Sequence, residues 1–128
     1  MQTVYFHRSK IPFTVTEWNK IKSYANFLSR QHGEEIEDRS EGMDEVHLRT
    51  RSEDKEHITE SFYLFQAIYY TGEDEERGYN FNFTKTYAVE PFESTILSIL
   101  KYAQFVAPWV ILEISSDSYE GSEAVNER

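Results

Sequence analysis

Arg77–Phe83 reads RGYNFNF, with rings at Tyr79, Phe81 and Phe83 and asparagines at Asn80 and Asn82 between them. Such alternation marks a β-strand, because successive side chains leave a strand on opposite faces. Which face the rings occupy decides how the sheet is built. Rings outside would drive two asparagine amides into the core, each costing on the order of 1–3 kcal/mol without a partner. Rings inside are each stabilised by roughly 1.5–3 kcal/mol through burial. The balance predicts that Tyr79, Phe81 and Phe83 look inward and that the strand runs on to Val89.

Upstream, His57 to Tyr70 contains FYLFQAIYY, rich in aromatic and branched residues, and TGEDEERG follows as a charged turn. The two strands are expected to form an antiparallel hairpin. QTVYF at the N-terminus alternates as a first strand, with Val4 and Phe6 on one side and Tyr5 on the other. Thr14 and Glu17 have capping-box spacing, and Trp18, Ile21, Ala25 and Leu28 form an apolar helical stripe that Gly33 ends. Pro91 suits the first turn of a second helix, whose inner face is Phe92, Ile96, Ile99, Leu100 and Ala103. After Pro108, WVILEI reads as an interior strand, with Val110, Leu112 and Ile114 toward the helices.

The order strand, helix, strand, strand, helix, strand predicts an α+β, ferredoxin-like two-layer sandwich with both helices on one face of an antiparallel sheet. A single domain is expected over 1–116, with an acidic loop at 34–56 and a flexible acidic tail at 117–128. Within that loop, EVHLRT at 45–50 alternates briefly through Val46 and Leu48 and predicts an extra edge strand.

Val4-Tyr5-Phe6, the lead Ile11 to Glu17, and Arg77-Gly78-Tyr79 with Phe81 resemble motifs of the RNA recognition motif family, which has the same element order. The resemblance implies Tyr5, Tyr79 and Phe81 as base-stacking rings and Arg77 as a phosphate contact. Asn80 and Asn82 depart from it, since the family has small or aliphatic residues at those inward positions. Glu73, Asp74, Glu75 and Glu76 just before Arg77 would also repel phosphate. Nucleic acid is therefore not the expected partner.

The face turned away from the helices carries the functional expectation. It is predicted to hold Tyr5, Tyr63, Phe65, Tyr69, Trp109 and Ile111, too apolar a set for bare solvent. A second copy of the chain, a partner protein, a ligand or the chain's own 34–61 segment folded back should cover it, and a symmetric dimer is the commonest arrangement. Acids named as partner contacts beside these rings are Glu34, Glu35, Glu37, Asp38, Asp74 and Glu75.

The net charge of −10 over 128 residues favours basic partners over nucleic acid or anionic membranes. The first thirty-three residues run the other way, with Arg8, Lys10, Lys20, Lys22 and Arg30 against Glu17. They are the one segment suited to nucleic acid. The absence of cysteine excludes disulfides, thiolate metal sites and cysteine nucleophiles, and fits a cytoplasmic protein. No apolar run is long enough to span a bilayer.

His57-Ile58-Thr59 and His7-Arg8-Ser9 are similar to the paired motifs of two-histidine phosphoesterases, which would make the histidines acid and base. The middle residue there is hydrophobic, which Arg8 is not. No zinc-protease, calcium-loop, nucleophile-elbow or phosphate-loop pattern is present, and no cofactor is expected. The sequence thus predicts a non-enzymatic acidic domain that binds a basic protein, such as an inhibitor or immunity-type protein against a nuclease toxin, and that forms a homodimer. The alternative is a dimeric ferredoxin-like binder of small molecules, or an enzyme, with the aromatic face as its pocket floor.

Overall fold

The computed structural model describes residues 2–51, 59–67 and 81–117. The elements run β1 (Thr3–Arg8), α1 (Val15–Gln31), β2 (Ile36–Asp38), β3 (Glu45–Thr50), β4 (Phe62–Phe65), β5 (Phe81–Lys85), α2 (Phe92–Val106) and β6 (Ile111–Asp117). This is a mixed α+β fold with two three-stranded antiparallel sheets, ordered β5-β1-β6 and β2-β3-β4. Helix α1 starts as the sequence predicts: the Thr14 hydroxyl accepts from the Glu17 amide, and the Glu17 carboxylate accepts from the Thr14 amide.

One core joins both sheets. Val4 and Phe6 of β1, Val46 and Leu48 of β3, Phe62 and Leu64 of β4, and Ile111 of β6 pack with Trp18 and Ile21 of α1 and Ile96, Ile99 and Leu100 of α2. The helices pack on each other; α1 also lies against β2 and β3, and α2 against β1 and β6. All five residues predicted for the inner face of α2 are fully buried.

The acidic stretch is more ordered than a loop. Ile36 is buried and anchors β2, while Val46 and Leu48 bury β3 between two partners. Strand 45–50 is therefore the middle of its sheet rather than an edge. Carboxylates close the β2–β3 connection, with Asp38 accepting from the Ser40 amide and hydroxyl and Glu45 from the Glu41 amide.

The expected hairpin gives way to other pairings. Among the described residues β4 pairs with β3 and β5 with β1, and the sheets meet at a corner where the Glu60 amide donates to the Lys85 carbonyl at 2.9 Å. Strand β5 stops at Lys85, short of Val89. The Thr86 and Tyr87 amides both turn onto the Gln2 carbonyl, and Tyr87 and Ala88 take left-handed φ values of 52° and 60°. Of the expected tail at 117–128, Asp117 belongs to β6 and the rest lies outside the described residues.

Candidate interaction face

Registers place nine residues as a grid on the side of the β5-β1-β6 sheet away from the helices. Phe81, His7 and Glu113 form one row, Phe83, Tyr5 and Ser115 the next, and Lys85, Thr3 and Asp117 the third. Phe81 is 40% and Phe83 51% exposed. Tyr5 lies 5.6 Å from Phe81 between ring centroids, His7 lies 5.0 Å from Phe81, and Phe81 lies 5.9 Å from Phe83. The Nε2 atom of His7 is 3.8 Å from the Glu113 carboxylate.

This overturns the inward placement of Phe81 and Phe83. Strand β5 is an edge strand whose helix-side positions are Asn82 and Thr84; Thr84 is buried, but Asn82 is exposed. The amide on the helix side thus stays hydrated and loses nothing, so the expected cost of turning the rings outward never arises. Tyr79 and Asn80 lie outside the described residues.

The last strand also departs from its expected sidedness. Arg8 pairs with Ile111 and His7 with Glu113, which leaves Leu112 as an extra residue opposite that step. The bulge shifts the alternation. Ile111 is fully buried instead of outside, and Leu112 is 55% exposed instead of inside. Trp109, 77% exposed, sits in the turn before β6 and not on the sheet.

The outer face of the second sheet carries another ring stack. Tyr63 lies 4.1 Å from His47 and 5.8 Å from Phe65, both close to parallel. Tyr63 and Phe65 point outward as predicted, with Phe62 and Leu64 buried between them. Tyr69, Asp74 and Glu75 lie outside the described residues. Glu34 and Glu35 are exposed in the turn after α1, and Asp38 is exposed on β2. Glu37 is 3.8 Å from Arg39 and opposite Arg49. These four acids belong to the end of the second sheet away from β4. Acids beside the ring grid are Glu113 and Asp117; alternation with Ile114 inward already turns Glu113 outward, and Asp117 follows at the same parity. His7 was legible two residues beyond Tyr5.

The basic N-terminal segment is partly consumed by the core. Arg8 is 2% exposed and Lys22 is buried with its Nζ donating to the Glu45 carbonyl. Among the described residues no group of three or more histidines and acids is placed to hold a metal ion, and no helix is long and apolar enough to cross a membrane. A shallow, open depression lies on the helix layer, lined by Asn19, Lys20, Ser23, Tyr24 and Tyr102. Comparison with known proteins found no matching family model, no similar curated protein and no similar solved structure.

Proposed function

We propose that this chain is a non-enzymatic interaction domain that binds a basic protein through the outer face of the β5-β1-β6 sheet. The observation that carries the reading is the outward ring cluster in which the exposed Phe81 contacts both Tyr5 and the exposed Phe83, with Glu113 on the neighbouring strand opposite His7. Aromatic residues concentrate binding energy at protein interfaces, and carboxylates around them speed capture of a cationic surface. In its narrower form the domain is an acidic inhibitor or immunity-type protein that neutralises its partner. A ferredoxin-like layer follows if β4 continues beyond β5 at its Lys85 end, with β3 and β2 beyond β4, which leaves the Phe81–Phe83 end of β5 as an edge among the described residues. The Glu60–Lys85 contact supports that continuity.

A second reading, single-stranded nucleic acid, draws on the contact of Tyr5 with Phe81, two rings that the RNA recognition motif resemblance implies as stacking partners. Burial of Arg8 and Lys22 weighs against it, because phosphate binding needs free cations.

The test is co-purification of tagged protein from its native cell with elution by salt, run in parallel for wild type and Phe81→Ala/Phe83→Ala. A stoichiometric basic protein held by wild type and lost by the variant supports the reading. Recovery of the chain alone as a salt-stable dimer, measured by light scattering, assigns the face to a second copy. Recovery of RNA assigns it to nucleic acid.

A further inference from the structure

The proposed interaction face admits a more specific statement about what touches it, which rests on that reading. We propose that Phe81, Tyr5 and Glu113 form a seat for an arginine side chain presented by the basic partner.

The placement follows from register. Phe81 and Glu113 flank His7 on neighbouring strands, so with strands about 4.8 Å apart their Cα atoms are separated by about 10 Å. The His7 ring lies between them, 5.0 Å from the Phe81 ring and with Nε2 3.8 Å from the Glu113 carboxylate, so a guanidinium is seated over this row, above Phe81 and reaching toward Glu113. It stacks flat on an aromatic ring and keeps its N–H donors free at the edge, where a carboxylate can accept two of them. A lysine ammonium is a compact point charge and cannot do both. The Glu113 side chain is 66% exposed, so it remains open to an incoming donor while facing His7.

Other occupants fit the grid less well. Its fixed charges are Lys85, Glu113 and Asp117, two acids to one base, which opposes phosphates. A second copy would bring the same two acids. A wholly apolar partner would strip water from the His7–Glu113 pair near the grid's edge. An arginine supplies the missing positive charge and covers the rings with its own apolar stem.

The experiment is an amide-resolved NMR titration of the whole chain with a blocked Gly-Arg-Gly-Arg-Gly peptide, its citrulline counterpart and oligouridylate. Citrulline keeps the shape but not the charge. Saturable shifts confined to β1, β5 and β6 are expected with the arginine peptide, and binding about tenfold weaker with citrulline. Phe81→Ala and Glu113→Gln should each weaken the arginine peptide about two- to fivefold. Phe81→Leu keeps an apolar side chain without a ring and should weaken it similarly. Equal affinity for the citrulline peptide, shifts centred elsewhere, or tighter binding of oligouridylate on the same strands would overturn the seat. If the arginine peptide leaves these strands unmoved while Phe81→Ala/Phe83→Ala still loses the native basic partner, the seat is wrong and the interaction face stands. If that variant keeps the partner, both fail.

Discussion

The guanidinium of Arg8, on β1, donates from Nη1 to the carbonyl of Phe65 at the end of β4, 2.6 Å away across a separation of 57 residues. Its Nη2 donates to the Gln66 carbonyl at 3.3 Å, and its carbon lies 4.8 Å from the centre of the Phe13 ring. Among the described residues the two sheets meet by hydrogen bonds at the Glu60–Lys85 corner, and one buried cation ties them again at the other end of β4. A planar fork makes this tie, and a lysine cannot reproduce it. Arg8→Lys and Arg8→Met should each destabilise the fold by about 1–3 kcal/mol, since both remove donors from the half-buried Phe65 and Gln66 carbonyls and disturb a buried site. Urea unfolding measures this, and an unchanged midpoint for Arg8→Met would remove the role.

Thr86 and Glu93 make a second buried contact. The threonine hydroxyl donates to the Glu93 Oε2 atom at 2.6 Å, and both residues are buried. It links the turn after β5 to the first turn of α2. Thr86→Val leaves a buried carboxylate without this donor, and a loss of about 1–3 kcal/mol is expected. Glu93→Gln keeps an oxygen in reach of the hydroxyl and should cost less. Thermal melts of the two variants give the ranking, and the reverse order would contradict the contact.

Trp18 and Trp109, the two tryptophans, sit in opposite environments. Trp18 is buried against Phe13 and donates its indole N–H to the Met43 carbonyl; Trp109 is largely in water. Trp109→Phe should leave a blue-shifted emission shielded from acrylamide, whereas Trp18→Phe should leave a red-shifted, readily quenched one. Trp18→Phe should also lose about 1 kcal/mol of stability with its hydrogen bond. Equal quenching of the two variants would show that the assignment of these rings is mistaken.

Helices and their inward faces were legible because their signals are local. The Thr14–Glu17 box and the row Phe92, Ile96, Ile99, Leu100 and Ala103 depend on spacing alone, and each is as expected. So is the sidedness of β1 and β4, where Val4, Phe6, Phe62 and Leu64 are buried. What was not legible depends on neighbours. The facing of Phe81 and Phe83 turns on β5 being an edge strand whose Asn82 overhangs into water, and alternation carries no record of that. The facing of Ile111 and Leu112 turns on a bulge that only pairing with His7 and Arg8 creates. Of the expected site, Tyr5, Tyr63 and Phe65 face outward. His7 and Glu113 face outward by the alternation of their own strands, but Phe81 and Phe83 join them through register, and register is a property of three strands together.

The outward facing of Phe81 and Phe83 makes a contrast that stability measurements resolve. Deleting a ring from the core leaves a cavity and costs about 3–5 kcal/mol, and Ile99→Ala in α2 should cost about 2–5 kcal/mol for the same reason. A ring on an uncovered edge strand has water on one side already, and its removal should change stability by about 0.5 kcal/mol or less. Phe81→Ala and Phe83→Ala are therefore expected to unfold at nearly the wild-type urea concentration, with Ile99→Ala far below it. The chain should also become less prone to self-association, because the exposed rings are the apolar centre of the grid. A large loss in both phenylalanine variants would mean that these rings are buried in solution. With a concentration-dependent wild-type midpoint it would identify a second copy as the cover; with an independent one it would return the rings to the core that alternation alone predicts.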